Sequence, residues 1–102
     1  MIVQTAFLSC SPEKADALGA ALARVAAVSL KQEPGTVDYV VLRAATGDET
    51  ILFTTIEWFS SRAAMEAHNT SAAVAEFFER ATPLLADAPR VTVNTVVPPM
   101  RL

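Results

Sequence analysis

Residues 51–68 read ILFTTIEWFSSRAAMEAH, and this stretch organises the rest of the chain. Its first half, Ile51 to Ile56, is β-branched, aromatic or large and apolar with no Gly or Pro, which favours a strand. Ser60 and Ser61 then offer hydroxyl N-caps, and Arg62-Ala-Ala-Met-Glu-Ala-His68 is rich in helix formers. Trp58 therefore stands at the end of a strand and His68 about two turns into the next helix. They are the only Trp and the only His in the sequence. A chemical centre is expected between them.

The flanking sequence supplies the other elements. Ile2 to Cys10 reads as a first strand. Ser11-Pro12-Glu13-Lys14 starts a helix, with a hydroxyl cap, Pro at the first helical position and an acid in the first turn. Ala17, Leu18, Ala21, Leu22, Val25 and Val28 form the apolar stripe of that helix, which runs to about Gln32. Gly19 weakens it unless close packing requires a glycine there. Glu33-Pro34-Gly35 turns the chain into a second strand, Thr36 to Ala45. Thr46-Gly47-Asp48-Glu49 is a polar hairpin loop leading to the third strand, Thr50 to Phe59. After the helix that starts at Ser61, Ser71 caps a further helix with Val74, Phe77, Phe78, Ala81 and Leu85 on one stripe, and Pro83 kinks or ends it. Arg90 to Val97 is the fourth strand, stopped by Pro98-Pro99.

The order β-α-β-β-α-β is the α+β, ferredoxin-like split βαβ pattern: a four-stranded antiparallel sheet with helices on one face. One domain spanning 1–102 is expected. A one-sided sheet alternates apolar and polar residues, yet both faces of these strands are apolar. Strand three offers Leu52, Thr54, Ile56 and Trp58 on one side and Ile51, Phe53, Thr55, Glu57 and Phe59 on the other. The second face needs cover, and the simplest cover is the same face of a second copy. A two-fold homodimer follows as an expectation, with the interface drawn from Ile51, Phe53, Val40 and Leu42 or their equivalents on the other face. The apolar tail from Val96 to Leu102 is expected to lie across the partner.

Composition narrows the function. Of the 102 residues, 52% are apolar, and the formal charge is −3; the mean hydropathy is +0.34. Disorder is excluded. The basic residues are scattered, which argues against nucleic acid. No apolar run reaches the ~18 residues of a membrane helix, and MIVQTAFLSC lacks the basic start of a signal peptide; a cytoplasmic protein is expected. Cys10 alone forms no internal disulfide and reads as a small apolar residue at a strand end. One His and one Cys do not build a His- or Cys-rich metal site, and Gly19, Gly35 and Gly47 are too far apart for a phosphate loop. Tyr39, the only tyrosine, could orient a ligand through its hydroxyl or simply pack. Arg43 could stand at a cavity mouth or at an exposed strand end. Arg62 and Glu66 read as a solvated helix pair, and no Ser–His–acid arrangement is readable.

Glu33-Pro34-Gly35, Tyr39, the run Ile56-Glu57-Trp58-Phe59-Ser60-Ser61, Ala64, Glu66-Ala67-His68 and Pro83-Leu84-Leu85 together resemble the antibiotic biosynthesis monooxygenase domain family, over nearly the whole chain. The resemblance implies a dimeric α+β barrel of ferredoxin-like subunits. It also implies a pocket lined by Trp58 and His68, which would be the catalytic residues. The activity implied is a cofactor-independent monooxygenase (an oxidoreductase) acting on an aromatic quinol or polyphenol, without cofactor or metal. Trp58, Tyr39, Phe7 and Phe77 would hold the ring and His68 would take or relay a proton. The alternative is a non-catalytic small-molecule-binding or stress-response dimer built on the same pocket. Haem-degrading members join an Asn on the first strand to the Trp and His; here that position corresponds to Phe7, with no Asn before Asn69, which disfavours haem degradation.

Overall fold

The computed structural model describes residues 1–47 and 49–99. Four strands, β1 (Ile2–Cys10), β2 (Thr36–Ala45), β3 (Ile51–Phe59) and β4 (Arg90–Thr95), form one antiparallel sheet in the order β2-β3-β1-β4. Three helices, α1 (Ala15–Gln32), α2 (Arg62–Asn69) and α3 (Ala72–Ala81), accompany it. This is the expected split βαβ arrangement. Within the tail, Met100, Arg101 and Leu102 lie outside the described residues, as does Asp48 in the hairpin loop.

Local chemistry explains the helix boundaries. Ser61 Oγ accepts from the Ala64 amide at 3.1 Å and Ser71 Oγ from the Val74 amide at 3.2 Å, so both hydroxyls fill the capping roles read from the sequence. Ser11 does not cap. Its hydroxyl donates to the Glu13 carboxylate at 2.7 Å, and Pro12–Lys14 forms a single 3₁₀ turn before α1. Pro83 ends α3: Thr82–Leu84 is again a 3₁₀ turn, and Leu85 lies beyond the helix.

The core lies between the helices and one sheet face. Leu8, Cys10 and Phe53 from the strands meet Ala15, Leu18, Leu22 and Val25 of α1 and Phe77 and Ala81 of α3. Cys10 is wholly buried there, in the packing role expected of it. Ala17 turns outward, while Ala26 and Ser29 complete the buried stripe of α1. Gly19 does permit a close approach: a Cβ there would stand 3.3 Å from the Phe53 ring. Gly35 permits a closer one, because a Cβ at that position would collide with Ala64 of α2.

Register assigns every strand residue to a face. Gln4, Ala6, Leu8 and Cys10 of β1 share the helix-covered face with Glu57, Thr55, Phe53 and Ile51 of β3, and with Tyr39 and Val41 of β2. Val3, Thr5 and Phe7 share the open face with Trp58, Ile56, Thr54 and Leu52, and with Val40 and Leu42. The interface set expected from the sequence is thereby corrected. Ile51 and Phe53 belong to the helix side, with Phe53 only 3% exposed, whereas Val40 and Leu42 are on the open face, with Leu42 48% exposed.

Candidate functional site

Three neighbouring strands set Gln4, Glu57 and Tyr39 side by side on the covered face, because Glu57 is paired with Gln4 on one side and Tyr39 on the other. The start of β2 lies close under α2 through Gly35 and Ala64, and the next turn of α2 brings His68 down onto Glu57. Ser29, in the last turns of α1, and Glu33, just past its end, complete the cluster.

His68 is 2% exposed and Glu57 3% exposed, so their charges are removed from water. His68 Nε2 stands 3.1 Å from Glu57 Oε1, and Nδ1 stands 2.8 Å from Glu33 Oε1, with Ser29 Oγ 3.3 Å away. A carboxylate facing each ring nitrogen favours the doubly protonated imidazole, because a carboxylate oxygen accepts the N–H that each nitrogen then carries. Burial alone would lower the His68 pKa; the hydrogen bonds and charges of Glu57 and Glu33 outweigh it and hold the pKa above its ordinary value.

Glu57 is bound from every side. Oε1 also accepts from Gln4 Nε2 at 3.1 Å, and Oε2 accepts from Thr55 Oγ1 at 2.7 Å. Gln4 and Asn69 exchange two hydrogen bonds of 2.9 Å through their amides, which ties β1 to the end of α2. Thr36 Oγ1 donates to Glu33 at 2.8 Å. The Phe59 and Tyr39 rings flank the imidazole, with centroids 5.2 and 5.8 Å away. Burial, reinforced by the negative charges of Glu57 and Glu33, pushes the Tyr39 hydroxyl far above its usual pKa, so it stays neutral.

Beside this cluster is a cavity of about 210 Å³. Glu57, His68, Gln4, Asn69, Thr55 and Tyr39 make its polar end. Leu22, Val25, Val74, Phe77, Phe78 and Val91 supply much of its apolar wall. Among the described residues no group of His, Cys, Asp and Glu is arranged to hold a metal ion.

The structure thus unites His68, Tyr39 and Phe77 at one cavity but separates them from Trp58 and Phe7. Trp58 follows Glu57 in an extended strand, so it points through the sheet to the open face. Phe7 lies on that same face, with Arg90 over its ring at 5.5 Å. Trp58 and His68 therefore do not share a cavity, and the strand residue that His68 meets is Glu57. Each nitrogen of His68, the residue expected to take or relay a proton, faces a carboxylate. Arg43 pairs with Asp16 on the surface at 3.0 Å. Glu57 did carry a legible signal: it is the one charged residue on a strand face otherwise made of Ile51, Phe53, Thr55 and Phe59. Gln4 and Asn69 carried none, and Glu33 was legible only within the Glu33-Pro34-Gly35 turn, since their roles depend on elements far apart in sequence.

Residues 1–80 match the model of a family described as antibiotic biosynthesis monooxygenase. No curated protein matches the chain. A crystal structure from Caulobacter crescentus CB15, of a protein provisionally assigned as an antibiotic biosynthesis monooxygenase, superposes with a TM-score of 0.85 at 24% identity, covering 94% of this chain and 89% of that one. A Nitrosomonas europaea protein with the same provisional assignment gives 0.83 at 20% identity, covering 95% and 99%. A Mycobacterium tuberculosis protein gives 0.75 at 25% identity, covering 94% of each chain. At such identities these neighbours speak to the fold alone.

Proposed function

Starting from the fact that the chain belongs to the antibiotic biosynthesis monooxygenase family, we propose that it is a cofactor-independent monooxygenase of a small aromatic phenol or quinol. The observation that carries this reading is the cavity itself, apolar and ring-lined along its wall and ending on a buried carboxylate. At about 210 Å³ it falls below the ~300–1,000 Å³ of pockets for drug-sized ligands, which suits one or two fused rings.

In this reading Phe77, Phe78 and Tyr39 hold the ring, and the substrate hydroxyl donates to Glu57. Glu57 is the general base; His68 is a positioning residue that aims the carboxylate. Proton transfer to Glu57 leaves a phenolate rich enough in electrons to reduce dioxygen directly. One electron passes to oxygen, and the ring radical and superoxide combine in a C–O bond at a ring carbon. The O–O bond then breaks. The ring-carbon proton and the proton held at Glu57 leave with the distal oxygen as water, and the ring departs as a quinone. One oxygen atom enters the product and one enters water, and the substrate supplies all four electrons.

The test is oxygen consumption by metal-free protein with anthrone- and naphthol-type substrates. Turnover that Glu57→Gln abolishes supports the reading. Thermal stabilisation by the same compounds without any product would favour a binding dimer instead. Haem degradation is further disfavoured here. A histidine ligand must offer a neutral nitrogen lone pair, and both His68 nitrogens already face carboxylates.

The same reading includes a two-fold homodimer that joins the open faces of two sheets. Val40, Leu52, Ile56 and Trp58 are only partly covered there and Leu42 is exposed. Burying each large side chain contributes ~1.5–3 kcal/mol, so several from each subunit exceed an association cost of ~4–15 kcal/mol. A monomer at micromolar concentration in sedimentation would overturn it.

A further inference from the structure

The hydrogen-bond inventory of the cavity's polar end specifies a ligand charge. Glu57 and Glu33 contribute two negative charges and His68 one positive, which leaves the cluster at −1. No Lys or Arg is among the lining residues. The donors that an anion would need are already committed. The two His68 N–H groups go to Glu33 and Glu57, both Gln4 Nε2 hydrogens go to Glu57 and Asn69, and the Thr55 hydroxyl goes to Glu57. What remains for a ligand is neutral: the Tyr39 hydroxyl and one Asn69 N–H. On the acceptor side, a carboxylate oxygen has two lone-pair sites, and Oε2 of Glu57 spends one on Thr55. The cavity therefore offers a buried negative acceptor without a free cation.

We infer that this site selects uncharged aromatic ligands bearing a hydroxyl donor and rejects aromatic carboxylates of the same size. The inference rests on the aromatic-ligand reading above and deepens it. A neutral phenol pairs its O–H with Glu57 and loses nothing else, because its ring replaces water along the apolar wall. A carboxylate would bring a second anion against the buried Glu57 with no cation in the lining to offset the repulsion. An aryl ether keeps the ring but lacks the donor, so it sits between the two.

The experiment compares 2-naphthol, 2-methoxynaphthalene and 2-naphthoate at pH 7 by calorimetry and by thermal shift on the unmutated protein. The expected order is naphthol first, the ether weaker, and naphthoate weakest by about tenfold or more relative to naphthol. Glu57→Gln should narrow the gap between naphthol and naphthoate, with its folding checked by circular dichroism. Naphthoate binding as tightly as naphthol, or all three binding alike, would overturn the charge selection while leaving the aromatic cavity in place. Failure of all three to bind would overturn both readings together.

Discussion

Neither face of this sheet is sorted cleanly by polarity. The face covered by helices carries the polar residues Gln4, Thr55, Glu57 and Tyr39 within its core, while the face left open carries Val3, Phe7, Leu52, Ile56 and Trp58. Covering alone does not sort residues by polarity. Polar groups are tolerated inside when each finds a partner, and among the described residues no fully enclosed side-chain nitrogen or oxygen lacks one. Apolar groups outside are unfavourable unless something covers them. The covered face thus combines an apolar core with a hydrogen-bonded polar cluster, and the open face leaves large apolar side chains partly exposed.

The sharpest way to separate the faces is to place one charge on each. Phe53→Asp removes a core ring and puts a carboxylate among Leu8, Leu18 and Leu22, and should abolish the folded state in circular dichroism. Leu42→Asp, on the open face, should leave the subunit fold within about 0.5 kcal/mol while raising the dimer dissociation constant in sedimentation. If both variants behave alike, the faces have been misassigned.

Removing the imidazolium is the next largest test. His68→Leu leaves Glu57 buried beside Glu33 without its counter-charge, and urea denaturation should register a loss of ~3–5 kcal/mol. Trp58→Leu acts on the opposite face and should move dimer dissociation rather than this cluster.

Gly35→Ala probes how the cluster is assembled. The added methyl displaces Ala64, and with it the turn of α2 that carries His68. A stability loss of ~1–3 kcal/mol is expected, together with weaker naphthol binding. Gly19→Ala, against the Phe53 ring tip, should cost less and leave binding unaltered.

The smallest effect is on pH dependence. His68 titrates higher in the folded chain than in the unfolded one. Its stabilisation is therefore fully present below the unfolded value of ~6.5 and is lost as pH rises through the raised folded value. Denaturation midpoints measured upward from pH 6 should fall, and His68→Leu should remove that component of the slope.

Much of this was legible in the chain. Period-two alternation placed Glu57 with Phe53 and Phe59 and set Trp58 apart from them; hydroxyl caps placed α2 and α3; apolar residues on both strand faces called for a partner surface. These are local signals, carried by residues within a few positions of one another. The sequence could not say which sheet face the helices would cover, and that choice decides whether His68 meets Trp58 or Glu57. Nor could it bring Gln4, Ser29, Glu33 and His68 to one carboxylate, because those encounters arise from strand register, the crossover of α1 and the close approach at Gly35. The sequence by itself determined the elements, their order and their amphipathic faces. Only the tertiary structure decided the chemistry at the centre, because a buried charge is defined by partners that chain neighbours cannot supply.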